Sequence, residues 1–216
     1  MLSTGLGITV SLFFIVICLS MPLGLGATFM SNSSLHLGIG RLKIYPIRWL
    51  ARGYVFLMRG TPLMLQLLFV YFGRPYIPFI GQYLVFQRFE AACIAFVLNY
   101  AAYFCEIFRG GIKSIDPGQY EAAQVLGLSR GQTVLRIVIP QMFKVAIPSI
   151  SNEAINLVKD TALVTTLGVT DLMHMTKAQV NSLANVAPFA VAAVIYMVMI
   201  FGLTQLFAKL EKKTNY

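Results

Sequence analysis

Long apolar runs separated by short polar segments are the feature that most limits what this chain can fold into. A helix that crosses the roughly 30 Å hydrocarbon layer of a bilayer needs about 20 mostly apolar residues. Five segments meet that need: residues 6–30, 53–73, 89–109, 145–167 and 186–208. Hydrophobic residues make up 57% of the chain and charged residues 12%, which is not the composition of a soluble domain. The sequence therefore predicts an all-α polytopic membrane protein, a single transmembrane domain over residues 1–216 with five transmembrane helices.

The distribution of basic residues predicts how these helices are oriented. An odd number of spans places the two chain ends on opposite sides, and basic residues favour the cytoplasmic side. Only Arg74, Arg88 and Lys177 fall outside when the N-terminus is placed outside, and Lys159 lies within the membrane. The other thirteen of the 17 basic residues are then cytoplasmic: Arg41, Lys43, Arg48, Arg52, Arg59, Arg109, Lys113, Arg130, Arg136, Lys144, Lys209, Lys212 and Lys213. We expect a multi-pass protein of the cytoplasmic membrane, with its N-terminus outside and its C-terminus in the cytoplasm.

Several other classes of function lack their usual signals. The net charge of +9 is spread between apolar runs and does not form one basic patch, which argues against a nucleic-acid partner. Cys18, Cys93 and Cys105 stand singly in apolar runs, so neither a metal site nor a disulfide framework is expected. The chain also has no GxxxxGK[ST] phosphate loop, so any nucleotide hydrolysis is expected on another chain.

The polar segment between spans three and four, residues 114–140, begins with the signals of a short helix. Asp116 can accept backbone N–H groups as an N-cap, and Pro117 suits the first helical position. Gly127 can take the left-handed conformation that closes a helix. The sequence thus predicts a first cytoplasmic helix from Pro117 to Leu126.

A second short helix is predicted directly after it. Ser129 followed by Gln132 forms a capping-box pattern, and the helix is expected to run to Ile139, where Pro140 interrupts it. The loop nevertheless carries an apolar surface that should not be left in water, on Ala122, Ala123, Val125, Leu126 and Leu128. Helix propensity alone leaves two interpretations open: a helix lying on the bilayer or on the protein's own spans, and a helix that docks on a partner.

The same loop resembles a known family motif. The spacing of Glu121-Ala122-Ala123, Gly127 and Ile137-Val138-Ile139-Pro140 is similar to the EAA loop of permeases in bacterial binding-protein-dependent ABC importers. Further segments resemble the polar amino acid branch of that family: RGTPL (59–63), EIFRGGI (106–112), GQYEAA (118–123) and NLVKDTAL (156–163). The sequence departs from the family pattern at Ile139, where Leu is usual, at Ala162, where Ser is common, and at Arg74, where an apolar residue is usual after YFG.

The resemblance implies a function and a set of partners. The family's loop forms a coupling helix that docks in a groove of the ATPase subunit, here through Glu121, Ala122, Ala123, Gly127 and Leu128. It implies two ATP-binding subunits, which hold the ATP and Mg, a second permease copy or homologue, and an extracytoplasmic solute-binding protein. The chain itself is then a transport subunit without a cofactor or an ATPase site.

The fourth span carries charges that a bilayer makes expensive, and such charges are by default candidates for function. Ser149, Glu153, Asn156 and Asp160 are spaced four, three and four residues apart, which places them on one face of a helix. Glu153 and Asp160 are then about 10 Å apart along the helix axis. A bound amino acid could answer these acids with its α-amino group or a cationic side chain, while Lys159 could meet its carboxylate.

Other interpretations of these residues remain open. Lys159 and Asp160 could neutralise each other or cap a broken helix, and Glu153 could pair with a neighbouring span. Asn99 and Tyr103 on span three could line the same cavity, with simple burial between helices as the alternative. Glu106 and Arg109, three residues apart, favour an ion pair over a binding site.

Two further classes of protein compete with the importer. A secondary amino acid carrier could use Glu153 or Asp160 as an ion relay, but the chain shows no inverted repeat. An anchoring or assembly protein would leave the charged span without a purpose. The paired acids favour arginine, lysine or histidine among the possible polar amino acid substrates.

Overall fold

The structure is a computed structural model that describes residues 2–33, 35, 44–79, 81–83 and 85–214. Arg41 and Lys43, which contribute to the charge count above, lie outside the described residues. The described part is built of helices joined by short turns, and the predicted all-α class is confirmed. Its α-helices are α1 (Leu2–Ser31), α2 (Pro46–Gly60), α3 (Leu63–Phe72), α4 (Arg88–Lys113), α5 (Pro117–Val125), α6 (Arg130–Thr133), α7 (Ile139–Asp160), α8 (Leu172–Leu183) and α9 (Ala187–Thr214). Three 3-10 segments (Arg74–Tyr76, Gly81–Tyr83 and Thr161–Leu167) and one π segment (Val134–Val138) join them.

Four helical segments are long and apolar enough to cross a membrane without interruption. They are Leu2–Ser31, Arg88–Lys113, Arg130–Leu167 and Ala187–Lys213. These segments overlap the first, third, fourth and fifth predicted spans. Each is longer than its prediction, because apolar windows do not include the polar turns by which a helix extends past the lipid.

The second predicted span, residues 53–73, is not one continuous helix. Its two halves, α2 and α3, meet at an angle of 106°. Pro62 forces the preceding Thr61 into an extended conformation, with φ −119° and ψ 146°, and α2 therefore ends at Gly60. The apolar window that predicted this span does not detect the break, since hydropathy carries no information on backbone direction.

The prediction that Pro140 ends a helix is wrong. The chain stays helical from α6 into α7 through the π segment, in which the N–H of Ile139 donates to the carbonyl of Val134 five residues earlier. A wider turn accommodates a proline, which has no N–H to give and whose ring clashes with the carbonyl four residues before it. The second half of the loop between spans three and four and the charged fourth span thus form one helical rod of 38 residues, Arg130–Leu167.

Helix α4 lies at the centre of the bundle and contacts α1, α2, α3 and α7. Small buried residues on α4, such as Ala101 and Cys105, let the neighbouring backbones approach closely. Gly24 of α1 packs directly against this surface. A Cβ placed on it would lie 2.8 Å from the carbonyl oxygen of Ala101 and 2.7 Å from Cβ of Phe104.

Helix α8 lies between the fourth and fifth predicted spans, where the sequence analysis predicts no helix. Asp171 caps it by accepting the N–H groups of Met173 (3.1 Å) and His174 (3.0 Å). Burial raises the pKa of the Asp171 carboxyl above its usual range, and the hydrogen bonds from α8 oppose that rise. Thr9 of α1 accepts the N–H of Leu172, which fastens the start of α8 to the first span.

The contact between α1 and α4 predicts opposite outcomes for two neighbouring glycines. We expect Gly24→Val to lower the thermal unfolding temperature in detergent, because the added atoms meet backbone; overpacking of this kind costs about 1–3 kcal/mol or more. Gly26→Val is the matched control, since a Cβ there meets no atom within 4 Å. Equal unfolding temperatures for both variants and the wild type would contradict this account of the packing.

Candidate functional site

A polar cavity lies beside the charged face of α7. It has a volume of about 610 Å³, and its walls include four of the residues predicted on the fourth span: Glu153, Asn156, Lys159 and Asp160. Ser149 lies outside it and lines an adjoining cavity of about 360 Å³, to which Glu153 also contributes. The helical spacing therefore identified residues on a common face, and Glu153 joins the two cavities that this face borders.

The opposite wall of the cavity comes from the broken span and from α4. The residues there are Arg59, Gly60, Thr61, Pro62, Leu63, Asn99, Tyr100 and Tyr103. The chain turns by 106° between α2 and α3, so backbone groups and polar side chains at the turn both line the cavity. A straight helix would present only the side chains of one face. Asn99 and Tyr103, the two candidates on span three, are among these lining residues, and Asn99 is also buried between helices.

Asp160 is held by a residue that the sequence analysis did not single out. The hydroxyl of Tyr100 on α4 donates to Oδ2 of Asp160 over 2.8 Å. Tyr100 is almost fully buried and stacks on Phe96, with ring centroids 6.2 Å apart. Within the part of the chain that the structure describes, no salt bridge joins Asp160 to Lys159. The position of Asp160 is thus fixed by a neutral partner from another helix.

Asn99 supports the break in the second span. Its amide donates to the carbonyl of Met58 (2.9 Å) and to Oε1 of Gln66 (3.0 Å). Gln66 in turn donates to the same Met58 carbonyl (2.9 Å) and to the hydroxyl of Thr61 (2.8 Å). These bonds satisfy groups that the end of α2 leaves without helical partners. Asn99 therefore borders the cavity while its amide is used on the backbone, and Gln66, which the sequence analysis did not name, completes the network.

A charged cluster lies next to the cavity. The predicted ion pair of Glu106 and Arg109 is confirmed, with Nε of Arg109 donating to Oε1 of Glu106 over 3.1 Å and its NH2 group contacting Oε2. Arg59 joins the cluster, its guanidinium lying 3.6 Å from Oε2 of Glu106 and 5.3 Å from the ring centre of Tyr103. The cluster borders a further cavity of about 610 Å³, whose walls also include Ser31, Arg52 and Val55.

The loop between spans three and four begins with the caps that the sequence predicts. Asp116 accepts the N–H of Gly118 over 2.7 Å, and α5 ends at Val125, one residue before the predicted end. Gly127 has a φ of +72°, in the left-handed region. Both bonds of the capping box between Ser129 and Gln132 are present.

The loop exposes only part of its predicted apolar surface. Val125 is 87% exposed and Leu126 is 75% exposed, whereas Ala123 is buried against the protein's own chain. Glu121 and Ala122 are exposed, and Gly127 is exposed beside them. Leu128 lines a cavity of about 600 Å³ in the angle between α5 and α6, together with Tyr120, Gln124, Ser129, Arg130, Thr133 and Val134.

Comparison with known sequences places these features in a family context. Residues 37–216 match the model of the family described as binding-protein-dependent transport system inner membrane component. The chain is 37% identical over 212 residues to the arginine transport system permease protein ArtQ of Bacillus subtilis, covering 97% of this chain and 90% of that protein. It is 36% identical over 177 residues to the L-cystine transport system permease protein TcyB of the same organism, covering 80% and 73%.

Solved structures share the fold. A crystal structure of an amino acid ABC transporter with histidines superimposes with a TM-score of 0.82 at 31% identity, covering 98% of this chain and 93% of that one. The MetNI methionine ABC transporter in an inward-facing conformation gives a TM-score of 0.77 at 15% identity, covering 99% and 95%. At that identity the second likeness concerns the fold alone.

The network at the helix break predicts that Asn99 matters for stability. Asn99→Ala removes both bonds of the amide and should lower the thermal unfolding temperature, since a hydrogen bond lost by a buried group costs about 1–3 kcal/mol. Asn156→Ala serves as the control because Asn156 borders the same cavity but is exposed. Thermal unfolding of both purified variants in detergent checks the prediction, and an unchanged unfolding temperature for Asn99→Ala would contradict it.

Proposed function

This chain belongs to the family of binding-protein-dependent transport system inner membrane components, and on that basis we propose that it is the permease subunit of an ATP-driven importer that carries polar amino acids with a cationic side chain. The observation that carries the substrate class is the pair of carboxylates, Glu153 and Asp160, in one cavity of a membrane-spanning bundle. Charged groups at such depth are costly and are kept where they bind something. An arginine transport permease is among the relatives that match nearly the whole chain.

The geometry of the two acids suits an amino acid with two positive groups. Glu153 and Asp160 are seven residues apart on α7, or about 10 Å along the helix axis. That distance is comparable to the distance between the α-amino group of a basic amino acid and the end of its extended side chain. Tyr100 holds the Asp160 carboxylate with one hydrogen bond, leaving its other oxygen available to the substrate.

Asp160 should therefore be needed for substrate recognition more than for assembly. We expect Asp160→Asn to reduce amino acid uptake and substrate-stimulated ATP hydrolysis at least about tenfold, because a charge-assisted hydrogen bond contributes about 1.5–3 kcal/mol. Uptake by proteoliposomes that contain the whole transporter measures this effect. The control is Glu211→Gln, in the C-terminal part of α9 and away from the cavity. Normal uptake by Asp160→Asn would show that this acid has only a structural role.

The rest of the transporter is expected on other chains. We propose two ATP-binding subunits, which hold ATP and Mg, below the permease, and a solute-binding protein on the extracytoplasmic side. A second permease copy or homologue would complete the translocation path, since one small helical bundle does not easily enclose a path by itself. ATP binding would then alternate the access of the cavity between the two sides, as in other proteins that switch between two packed states.

The cytoplasmic loop supplies the surface for the ATP-binding subunit. Val125 and Leu126 present apolar side chains to solvent on a helix only nine residues long, which is the shape of a short helix that fits a partner's groove. Ala123 is buried and steadies α5 from beneath, so we assign the contact to exposed Glu121 and Ala122 and to the bend at Gly127.

Two substitutions in this loop should separate docking from membrane insertion. We expect Gly127→Val to weaken docking of the ATP-binding subunit, because a β-branched residue is strained at a φ of +72°. Glu121→Lys should also weaken docking, because it reverses a charge on the exposed face of α5. Co-purification with the ATP-binding subunit measures the effect, and Gly26→Val, a glycine with open space around it on α1, is the control. Unaltered ATP-driven uptake by both loop variants would rule out the coupling role.

The alternative function is an ion-coupled carrier, in which Glu153 or Asp160 would relay the coupling ion. The family membership does not favour it, and the exposed apolar loop would have no partner in such a protein. Reconstitution decides between the two: the importer needs ATP and a bound ATP-binding subunit, whereas a carrier would take up amino acid in response to an ion gradient alone.

A further inference from the structure

Arg59 occupies a position that none of the features above explains. It lies in the last turn of α2, directly before the break, and it lines all three adjoining cavities: the one that holds Glu153 and Asp160, the one beside Ser149, and the one beside Glu106. Among the described residues, Tyr103 is the other one that lines all three cavities. A substrate that passes between the cavities therefore meets the guanidinium of Arg59.

The charges within the cluster of Arg59, Glu106 and Arg109 do not balance. Glu106 is one carboxylate facing two guanidiniums, and Arg109 already contacts both of its oxygens. Arg59 reaches it only at 3.6 Å, which is beyond the usual length of a charge-assisted hydrogen bond. The cluster thus keeps one positive charge, and the residue that carries it faces the cavity.

The guanidinium of Arg59 is also oriented before any ligand arrives. It lies over the ring of Tyr103 at 5.3 Å, a cation–π contact that restrains the position of the group, and its side chain remains 42% exposed. The planar edge of a guanidinium presents paired N–H donors that match a carboxylate. The opposite wall of the same cavity holds acids, so the cavity has a basic side and an acidic side.

From this arrangement, and on the footing of the proposed function, we infer that Arg59 binds the α-carboxylate of the transported amino acid. The α-amino group and the side chain then face Glu153 and Asp160 across the cavity. Lys159 is the competing cation in the cavity, and from the sequence it could meet the carboxylate. The Lys159 side chain is exposed at the end of α7, and an ammonium lacks the paired donors of a guanidinium.

Binding of the carboxylate has a consequence for the neighbouring cavity. Arg59 can leave Glu106 without uncovering a buried charge, because Arg109 remains bound to both oxygens of that residue. The exchange therefore replaces a loose ion pair by a two-donor contact. Since Arg59 lines the cavities on both sides of this point, its displacement changes the opening between them.

Paired probes with and without a carboxylate test the inference. The permease, purified together with its ATP-binding subunits in lipid nanodiscs, is titrated with L-arginine and with agmatine, which has the same cationic chain but no carboxylate. L-glutamine and its decarboxylated counterpart, 4-aminobutanamide, form a second pair for the case in which the cavity prefers a neutral side chain. The variants are Arg59→Gln, Lys159→Gln and Arg52→Gln. The last is the matched control, an arginine two turns earlier on α2 that does not line the cavity with the acids.

We expect Arg59→Gln to weaken binding of the amino acid about tenfold or more while leaving the affinity for the decarboxylated amine within about twofold. Retained amine binding shows that the variant is folded. Equal losses for both members of a pair, no loss for either, or a carboxylate-dependent loss in Lys159→Gln in place of Arg59→Gln would each overturn the inference. Wild-type protein that binds L-glutamine but not L-arginine would refute the basic substrate class and leave Arg59 to be judged on the second pair. No binding of either amino acid would overturn both proposals.

Discussion

The site depends on how the chain satisfies its backbone groups where the second span breaks. A bilayer offers no water to a carbonyl at the end of a helix, so an interruption at that depth persists only if the protein itself supplies donors. Asn99 and Gln66 both donate to the carbonyl of Met58. These bonds allow α2 to end inside the bundle. The end of α2 then places Arg59 at the cavity and forms part of the polar wall opposite α7.

Local sequence signals were sufficient to predict the features of the fold that depend on neighbouring residues, such as the helix caps. Asp116 and Gly127 act on backbone within a few residues of themselves, and their roles as caps could be read from the sequence. The angle between α2 and α3 could not be predicted from the sequence, even though Pro62 lies at the break. An apolar window measures the hydropathy of the residues and carries no information on the direction of the backbone. Pro140 shows the opposite error: the proline signal is real, but a single wide turn absorbs it and the helix continues.

For the candidate site, periodicity predicted one wall, and of the opposite wall the sequence offered only Asn99 and Tyr103 as candidates. Four of the residues spaced along the fourth span lie together at one cavity, because a helix converts spacing into a shared face. Their partners come from other helices, as Tyr100 does to Asp160 across 60 positions of sequence. Helical spacing relates residues on one helix and cannot predict such a pair. The RGTPL segment that contains Arg59 was identified only through the family resemblance.

The 38-residue rod from Arg130 to Leu167 has a mechanical meaning. It begins within the loop between spans three and four and carries Glu153 and Asp160 in its far half, and its length is about 57 Å at 1.5 Å per residue. A rotation of about 5° around one end of a rod of that length moves the other end by about 5 Å, the pitch of one helical turn. A small angular change at one end of this rod would thus be magnified at its other end into a shift about as large as the spacing between successive turns of side chains.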